Sequence, residues 1–276
     1  MKNKSVVMKI LIGGSFVLFL LLLVVIFSLI KMILPKENKV KADEKKVITE
    51  NYPLEGIEKI TFDLKKSNAI IKPGEGEELI IVQNSKEKKF FLNHKEKKNE
   101  LSFVEDSYII NPQKKKYTIY IPKNYLYEIN IINGFGKIDI SDINNEITIN
   151  NNSGSIILNQ IGNSKIKSVS GNIYYGNIVG NIEVETSIGN ITVENITGAI
   201  NAETITGDIL VTNYSITGNS NFENVSGGIV LKMSENSVCS LAYSNETGKT
   251  TIDENVCTGL TNLINIKNMT GIIKIY

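Results

Sequence analysis

The chain has 276 residues, and its 30 basic residues, all of them lysine, nearly balance 29 acidic ones to give a net charge of +1. That balance and the lack of arginine argue against a nucleic-acid partner. A single histidine, His94, leaves no set of histidine ligands for a transition metal, so no cofactor is expected.

The charge is distributed unevenly along the chain. Residues 1–123 hold 23 lysines against 15 acidic residues, a net charge of +8, whereas residues 124–276 hold 7 against 14, a net charge of −7. The basic half would attract anionic lipid or a cell-wall polymer. Ordinary solvated faces and a charged linker explain the same pattern, so both interpretations stay open.

The first predicted element is a transmembrane helix over residues 10–34. Residues 10–30 contain no charge, and at about 1.5 Å per residue they span about 31 Å, the hydrocarbon thickness of a bilayer. A signal peptide has an apolar core of only about 7–15 residues, which favours an uncleaved anchor over a removed signal. Residues 1–9 are then a short cytoplasmic tail. Lysines flank both sides of the span, but a large C-terminal domain crosses largely regardless of charge, so we expect that domain outside the cytoplasm.

Residues 35–51 are polar and charged, which is typical of a juxtamembrane linker. Over residues 52–127, apolar runs separated by turns rich in Pro, Gly or Lys predict strands without a fixed period. The predicted strands cover residues 59–63, 68–72, 79–83, 90–93, 101–105 and 117–122. We interpret this segment as the irregular start of a repeat domain, which covers the first rung and shares its core.

Residues 128–276 are predicted to hold regular repeats. Each unit, such as GNITVENIT at residues 189–197, alternates apolar and polar residues like a strand with one buried face. The glycines supply corners, where a positive φ has no steric penalty. The predicted corner glycines recur almost every nine residues and are Gly171, Gly180, Gly189, Gly198, Gly207, Gly218 and Gly227.

A strand this short cannot bury its apolar face alone, so neighbouring units must stack. We therefore predict an all-β fold, a parallel β-solenoid, in which a coil of about eighteen residues carries two main strands and repeats about eight times. An antiparallel sandwich or barrel with strands every 8–12 residues is the alternative, but sandwiches seldom keep so regular a glycine register. The handedness and the number of faces stay open.

Two cysteines lie one predicted coil apart, since Cys239 and Cys257 are separated by 18 positions. Residues one coil apart would stack in neighbouring rungs, and a rung spacing of about 4.8 Å falls within the Cα–Cα range of a disulfide. Outside the cytoplasm such a bond persists, whereas inside it the pair stays reduced. Two inward-facing, small apolar residues are the alternative.

The sequence offers no catalytic, cofactor-binding or metal-binding residues, and we expect the protein not to be an enzyme. His94 lies in a lysine-rich hairpin region without a nucleophile-elbow sequence. We therefore interpret it as an exposed histidine in a turn. Glu185, Glu194 and Glu203 recur at nine residues, which predicts one outward, solvated ladder instead of a catalytic pair.

Several short motifs together carry a family resemblance. An IYIPK strand at residues 119–123 leads into Gly136-Lys137-Ile138, and VSGNI, ITGDI and VSGGI units follow from Val169, Ile205 and Val225. Over residues 54–276 the chain resembles the bacterial "putative adhesin" β-strand-repeat family, the domain of unknown function 4097. The resemblance implies an extracytoplasmic and often membrane-tethered β-solenoid, with roles in adhesion or envelope-stress regulation, and it supplies no catalytic residues.

The leading functional hypothesis is a single-pass, surface-exposed β-solenoid of the cell membrane that contacts a protein or an envelope polymer. One alternative is a regulatory accessory protein that senses envelope stress beside a membrane kinase or anti-sigma factor. Another is a cytoplasmic, membrane-tethered scaffold that polymerises end to end, and a carbohydrate-active enzyme comes last. The apolar strand at residues 272–276 predicts a C-terminal edge for a partner strand or self-association, unless residues 262–269 fold across that end.

Overall fold

The computed structural model describes residues 46–86, 88–106, 115–235, 237–257 and 259–276. Within these ranges the fold is all-β, and none of the described residues belongs to a helix suited in length and apolarity to crossing a bilayer. The predicted tail 1–9, the predicted transmembrane helix 10–34 and residues 35–45 of the predicted linker lie outside the described residues.

The described residues form 23 strands. The irregular first part has β1 (Lys46–Pro53), β2 (Lys59–Leu64), β3 (Asn68–Gly74), β4 (Glu78–Ser85), β5 (Leu92–Lys97), β6 (Glu100–Glu105) and β7 (Lys116–Pro122). The regular part has β8 (Glu128–Asn133), β9 (Ile138–Ile143), β10 (Ile147–Asn151), β11 (Ile156–Ile161), β12 (Ser164–Ser170), β13 (Ile173–Val179), β14 (Ile182–Ile188), β15 (Ile191–Gly198), β16 (Ile200–Thr206), β17 (Ile209–Ile216), β18 (Ser220–Ser226) and β19 (Ile229–Met233). The last part has β20 (Ser240–Thr247), β21 (Thr250–Ile252), β22 (Leu263–Thr270) and β23 (Ile273–Ile275).

The strands form two sheets around one core. Sheet A has the order β1-β4-β7-β3-β9-β11-β13-β15-β17-β19-β23-β21, and sheet B has the order β20-β22-β18-β16-β14-β12-β10-β8-β2-β6-β5. The described pairings are parallel except for β1 with β4, β4 with β7 and β5 with β6. From β8 onward the chain alternates between the sheets, so each coil gives one strand to each. The predicted all-β fold is thus confirmed, and its parallel strands in two sheets are those of a solenoid.

The pairing register gives the length of one coil. In sheet A, Ile173 pairs with Ile191, and Ile191 pairs with Ile209. In sheet B, Ile182 pairs with Ile200. Each step is 18 residues, so a nine-residue unit is one strand and its corner, as the sequence predicts. Strands β8–β23 form eight rungs, and up to β19 neighbouring rungs are 17, 18 or 20 residues apart.

The alternation of each unit places one row of apolar side chains in the core. On β15, the side chains of Ile191, Val193 and Ile196 are at most 1% exposed, whereas Asn195 is exposed. Burying one such aliphatic side chain contributes about 1.5–3 kcal/mol. Because a lone rung would leave one edge of this row in water, stacking is what makes the fold stable.

A third corner, absent from the sequence prediction, bends the sheet A strands from β9 to β17. Asn177, Asn195 and Asn213 have φ of 53°, 56° and 53°, the left-handed region that asparagine tolerates better than most residues. Glu194 and Asn195 both point away from the core, so the alternation changes phase before Ile196. Asn195 Nδ2 donates to Asn177 Oδ1 at 3.0 Å, and Asn213 Nδ2 donates to Asn195 Oδ1 at 2.9 Å. The amide ladder holds these corners in register.

The predicted corner glycines fall into two groups. Gly171, Gly180, Gly189, Gly207 and Gly227 have positive φ between 126° and 154°, whereas Gly198 and Gly218 do not. A Cβ on Gly198 would nevertheless lie 1.9 Å from the carbonyl oxygen of Gly180, while one on Gly218 would meet only the Ala199 Cβ at 3.3 Å. Gly198 is therefore required by the close approach of two backbones, not by its φ.

Antiparallel strands cover the N-terminal end of the solenoid. The predicted linker over 35–51 is wrong for residues 46–51, because they belong to β1, which pairs with β4 along its whole length. Tyr52 on β1 is buried and packs edge-on against Phe103, with ring centroids 4.8 Å apart. Without β1, the edge of β4 and the ring of Phe103 would be exposed to water, which explains why a polar segment is drawn into the sheet.

The C-terminal end does not follow chain order. Strands β22 and β23 lie between β18–β19 and β20–β21, so the final rung is β20–β21. The prediction that residues 272–276 form the free edge is therefore wrong, and so is its alternative, because residues 263–270 form β22 inside sheet B and do not fold across the end. Ile273 pairs with Ile229 on one side and with Thr250 on the other.

Side-chain chemistry explains the exchange of rungs. An interior rung is covered on both sides, and β22 and β23 supply Ile264, Ile266, Ile273 and Ile275, each at most 1% exposed. The core-facing positions of β20, in register with Ile264 and Ile266, hold Leu241 and Tyr243. The interior rung, which is covered on both sides, is thus formed by the more apolar strands β22 and β23, and the end rung by the more polar strands β20 and β21.

Candidate functional site

The outer face of sheet B carries a row of charged side chains. Lys167, Glu185, Glu203, Glu223 and Lys267 lie in register on β12, β14, β16, β18 and β22; we call this row the carboxylate column. Lys167 Nζ lies 2.8 Å from Glu185, and Lys267 Nζ lies 2.9 Å from Glu223. The hydrogen bond to Glu185 raises the pKa of Lys167. Glu203, at the centre, has no lysine partner among the described residues.

A second, apolar row runs beside the carboxylate column. Two positions further along four of the same strands stand Val169, Ile205, Val225 and Met269, which are 55%, 48%, 41% and 46% exposed; Ser187 fills the place between the first two. We call this row the apolar column. Its side chains project on the same face as the carboxylates because strand residues two apart point the same way. The carboxylate column thus spans five neighbouring strands, and the apolar column has members on four of them.

A buried polar ladder lies under the two columns and fixes their position. Asn133 Nδ2 donates to Asn151 Oδ1 at 2.6 Å, and Asn151 Nδ2 donates to Ser168 Oγ at 2.8 Å. Further along, Thr204 Oγ1 and Asn224 Nδ2 donate to the carbonyl oxygens of Gly189 and Gly207 at 3.2 and 2.8 Å. These bonds tie the strands of sheet B to the glycine corner, so the outer face is held rigid.

Shallow grooves separate the two columns. One groove, of about 230 Å³, is lined by Glu203, Glu223, Val225, Lys267 and Met269 among others. Another lies toward the N-terminal end, where Lys167 and Glu185 face Val169 and Ser187. Both grooves are open to solvent, and each has charged side chains and exposed apolar side chains in its lining. Such a surface suits an extended chain that carries cationic and apolar groups in alternation.

The predicted nine-residue ladder of glutamates is wrong at Glu194. A step of nine residues moves from one sheet to the other, so Glu185 and Glu203 are neighbours on sheet B while Glu194 lies on β15 of sheet A. There its carboxylate accepts a hydrogen bond from the Tyr174 hydroxyl at 2.8 Å, which raises the pKa of that tyrosine. The acidic ladder instead repeats every coil, at Glu185, Glu203 and Glu223.

Cys239 and Cys257 form a disulfide, with a Cα–Cα distance of 4.3 Å. They do not stack in neighbouring rungs as predicted. Cys239 directly precedes β20, and Cys257 lies in the loop after β21, with a φ of 55°; the pairing of Ser240 with Leu263 would instead place Asn262 beside Cys239. The bond therefore closes the single rung β20–β21 on itself.

The remaining chemical candidates stay apart from the two columns. His94 lies on β5, at the opposite end of sheet B, as an exposed strand residue and not a turn residue, with its ring centroid 4.9 Å from that of Tyr52. In the part of the chain that the structure describes, no three His, Cys, Asp or Glu side chains are grouped closely enough to hold a metal ion.

Sequence analysis missed the paired columns, although the signal was present. Glu185, Glu203 and Glu223 follow a buried residue of their strand, and Ile205 and Val225 follow two positions later. The nine-residue glycine period hides this pattern, because it overlays two strands that face opposite directions. A comparison of every second unit would have found it.

Comparison with known structures identifies the fold. A putative adhesin from Bacteroides fragilis is similar with a TM-score of 0.54 and 17% identity, over 84% of this chain and 97% of that one. A putative adhesin from Parabacteroides distasonis has a TM-score of 0.47 and 12% identity, over 84% and 98%. A putative lipid-binding protein from the same species has a TM-score of 0.34 and 12% identity, over 84% and 97%.

Curated proteins of known sequence offered no match to this chain. The family model described as Toastrack DUF4097 matches residues 57–270. That span runs from just before β2 to the end of β22, and it covers both the irregular start and the regular coils. The resemblance predicted from the short glycine motifs is therefore confirmed, and the chain belongs to the Toastrack DUF4097 family.

Proposed function

We propose that this protein is a membrane-anchored, extracytoplasmic β-solenoid that works without catalysis, by holding a protein or a cell-envelope polymer along the outer face of sheet B. Adhesion is the role that this activity serves. The ligand is an extended chain with cationic groups for the carboxylate column and apolar groups for the apolar column.

The observation that carries the proposal is the in-register repetition of the two columns over five strands of sheet B. Neighbouring strands are about 4.8 Å apart, so an extended ligand that lies across them meets a charged group at every rung and, except at Ser187, an apolar group beside it. Glu203, which has no cation of its own in the described structure, is the position where a ligand cation gains most. Rigid, repeated contacts of this kind give avidity even when each is weak.

Two further observations support the location. Residues 10–30 are long and apolar enough to span a bilayer, and the Cys239–Cys257 disulfide is of the kind that persists outside the reducing cytoplasm. The same bond weighs against the cytoplasmic scaffold. A similar structure is described as a putative adhesin, and adhesion is extended to this chain as part of the proposal.

The location is tested on whole cells that produce the full chain. We expect the full-length protein in the membrane fraction, with its own N-terminus, and digestion of the domain by protease added outside the cells. Maleimide should label the cysteines only after reduction. A soluble, shortened species, or a domain that survives protease until the cells are lysed, would overturn this part of the proposal.

The binding face is tested by charge reversal at Glu203. We expect Glu203→Lys to lower retention of the protein on isolated cell envelopes of the producing organism by at least about fivefold, because a repulsive contact replaces an attractive one at the centre of the column. Glu146→Lys is the matched control, since Glu146 is also exposed but lies outside both columns. Equal retention of the two variants would show that the ligand does not lie on this face.

A further inference from the structure

The two ends of the solenoid are finished differently. At the N-terminal end, sheet A closes with β4 and β1 and sheet B closes with β5, all antiparallel to their neighbours. Exposed Lys95, Glu96 and Lys97 occupy β5, and charges on an edge strand discourage further pairing. Tyr52 and Leu92 cover the core beneath. Strand β1 likewise carries exposed charges, so both edge strands discourage strand addition, and we call this the closed end.

The C-terminal end is open in both sheets. Strand β20 is the last strand of sheet B, and β21 is the last strand of sheet A. The core-facing positions of β20 are in register with those of β22, so Tyr243 matches Ile266. Yet Tyr243 is 54% exposed, whereas Ile266 is fully buried. In the described chain, the last rung thus exposes both a backbone edge and the end of the core.

We propose that rung β20–β21 binds the same rung of a second copy of this chain, in a closed, two-fold, end-to-end dimer. A single foreign strand extends one sheet and leaves the other sheet and the core open. A second copy brings its own β20 and β21, which are as far apart as the two strands they would pair with, together with its own open core. It therefore covers the edge of sheet A, the edge of sheet B and the end of the core at once. Because the N-terminal end is closed, head-to-tail growth is blocked and assembly stops at two chains.

Strand geometry restricts the register of the pair. A two-fold axis makes β20 antiparallel to β20 of the second copy, and core-facing residues must oppose core-facing residues. An axis through Tyr243, near the middle of β20, meets this condition and is the register that we adopt. Tyr243 then faces Tyr243 of the second copy, Leu241 faces Asn245, and Ser240 faces Glu246. Like charges do not face each other along this strand, since Glu246 is the one charged residue between Ser240 and Thr247.

The first test measures the protein mass of the full chain, purified in detergent, by light scattering that separates protein from detergent. We expect a mass of twice 30.6 kDa at micromolar concentration, and a single chain for Tyr243→Lys, which places two like charges on the axis. Val47→Lys is the matched control, because Val47 is 63% exposed on β1, the edge strand of the closed end; it should stay dimeric. A monomeric wild-type chain, or a dimer that survives Tyr243→Lys, would overturn the proposal.

The second test does not depend on how the lysine variant folds. A photo-crosslinking amino acid at position 243 of the full chain should give a product of doubled mass, in which residue 243 is joined to β20 of another copy. The same amino acid at position 47 should give none. Crosslinks from position 243 to a different protein, or to a different part of this chain, would show that the open rung has another occupant and that the dimer is wrong.

Discussion

Gly198 and Gly218 show that one residue type fills two roles in the corners. Gly198 ends β15, and its α-carbon lies so near the Gly180 carbonyl that a Cβ would be 1.9 Å from the oxygen. Gly218 follows β17 one coil later, and a Cβ there would meet only the Ala199 Cβ, at 3.3 Å. The glycine period of the sequence does not distinguish these cases.

We predict that Gly198→Ala lowers the free energy of unfolding by about 2–3 kcal/mol, since two packed backbones must move apart. Gly218→Ala should lower it by at most about 1 kcal/mol, because the new methyl group meets another methyl group at near-contact distance. Urea unfolding followed by circular dichroism measures both. Similar losses for the two variants would contradict the distinction between close approach and open corner.

Among the strands, the order of the last two rungs has the largest consequence for stability. Ile266 lies in the interior rung β22–β23 and is fully buried, whereas Ile252 lies in the end rung and is partly exposed. In an arrangement that followed chain order, the rung with Ile252 would be the interior one. The two isoleucines therefore report which segment occupies the covered slot.

We expect Ile266→Ala to lower the free energy of unfolding by about 2–5 kcal/mol, the usual effect of a large-to-small change in a core. Ile252→Ala should lower it by about 1 kcal/mol or less. Urea titrations at low protein concentration, where the end rung is uncovered, compare the two identical substitutions directly. An equal or larger effect at Ile252 would mean that the rungs are stacked in chain order.

The regular coils could be predicted from sequence because each one repeats a local signal. Ile191 and Val193 alternate with polar residues, and the glycine before them sets the corner, so both strand and period are visible in a single unit. The third corner was missed because Asn195 looks like an outward strand residue until its φ is known. The end rung was missed because its position depends on a comparison of Tyr243 with Ile266 as candidates for one buried slot, which no local pattern contains.

At the scale of the whole molecule, buried tyrosines make the stability of the fold depend on pH in the alkaline range. Tyr117, Tyr175 and Tyr214 lie on β7, β13 and β17, each fully buried in the core. Burial raises the pKa of all three, and that of Tyr214 to about 12. Between pH 10 and pH 12, unfolded tyrosine loses its proton while folded Tyr214 retains it. The folded state then binds more protons than the unfolded state, so stability falls as the pH rises through this window.

We predict that Tyr214→Phe weakens this dependence. Between pH 8 and pH 11, the wild-type protein should lose about 1 kcal/mol more stability than the variant, since one pKa unit corresponds to about 1.4 kcal/mol. The Ser220 hydroxyl, which bonds the Tyr214 hydroxyl, keeps its contacts with the backbone of Ile200 and Gly218, so the variant should fold. Urea unfolding at both pH values is the measurement, with Tyr276→Phe as the control. Equal losses in wild type and variant would contradict the expectation.

The exchanged rungs also set the timing of folding. Strands β22 and β23 are synthesised after β20 and β21 but lie between them and the rest of the solenoid. During synthesis at about 5–20 residues per second, β20 and β21 emerge about a second or more before any neighbour exists for them. Both cysteines of the disulfide precede β22, so the bond can close this waiting segment into a loop in advance. The solenoid therefore cannot be completed in the order of synthesis, and its last two rungs take their places only after residue 275 has emerged.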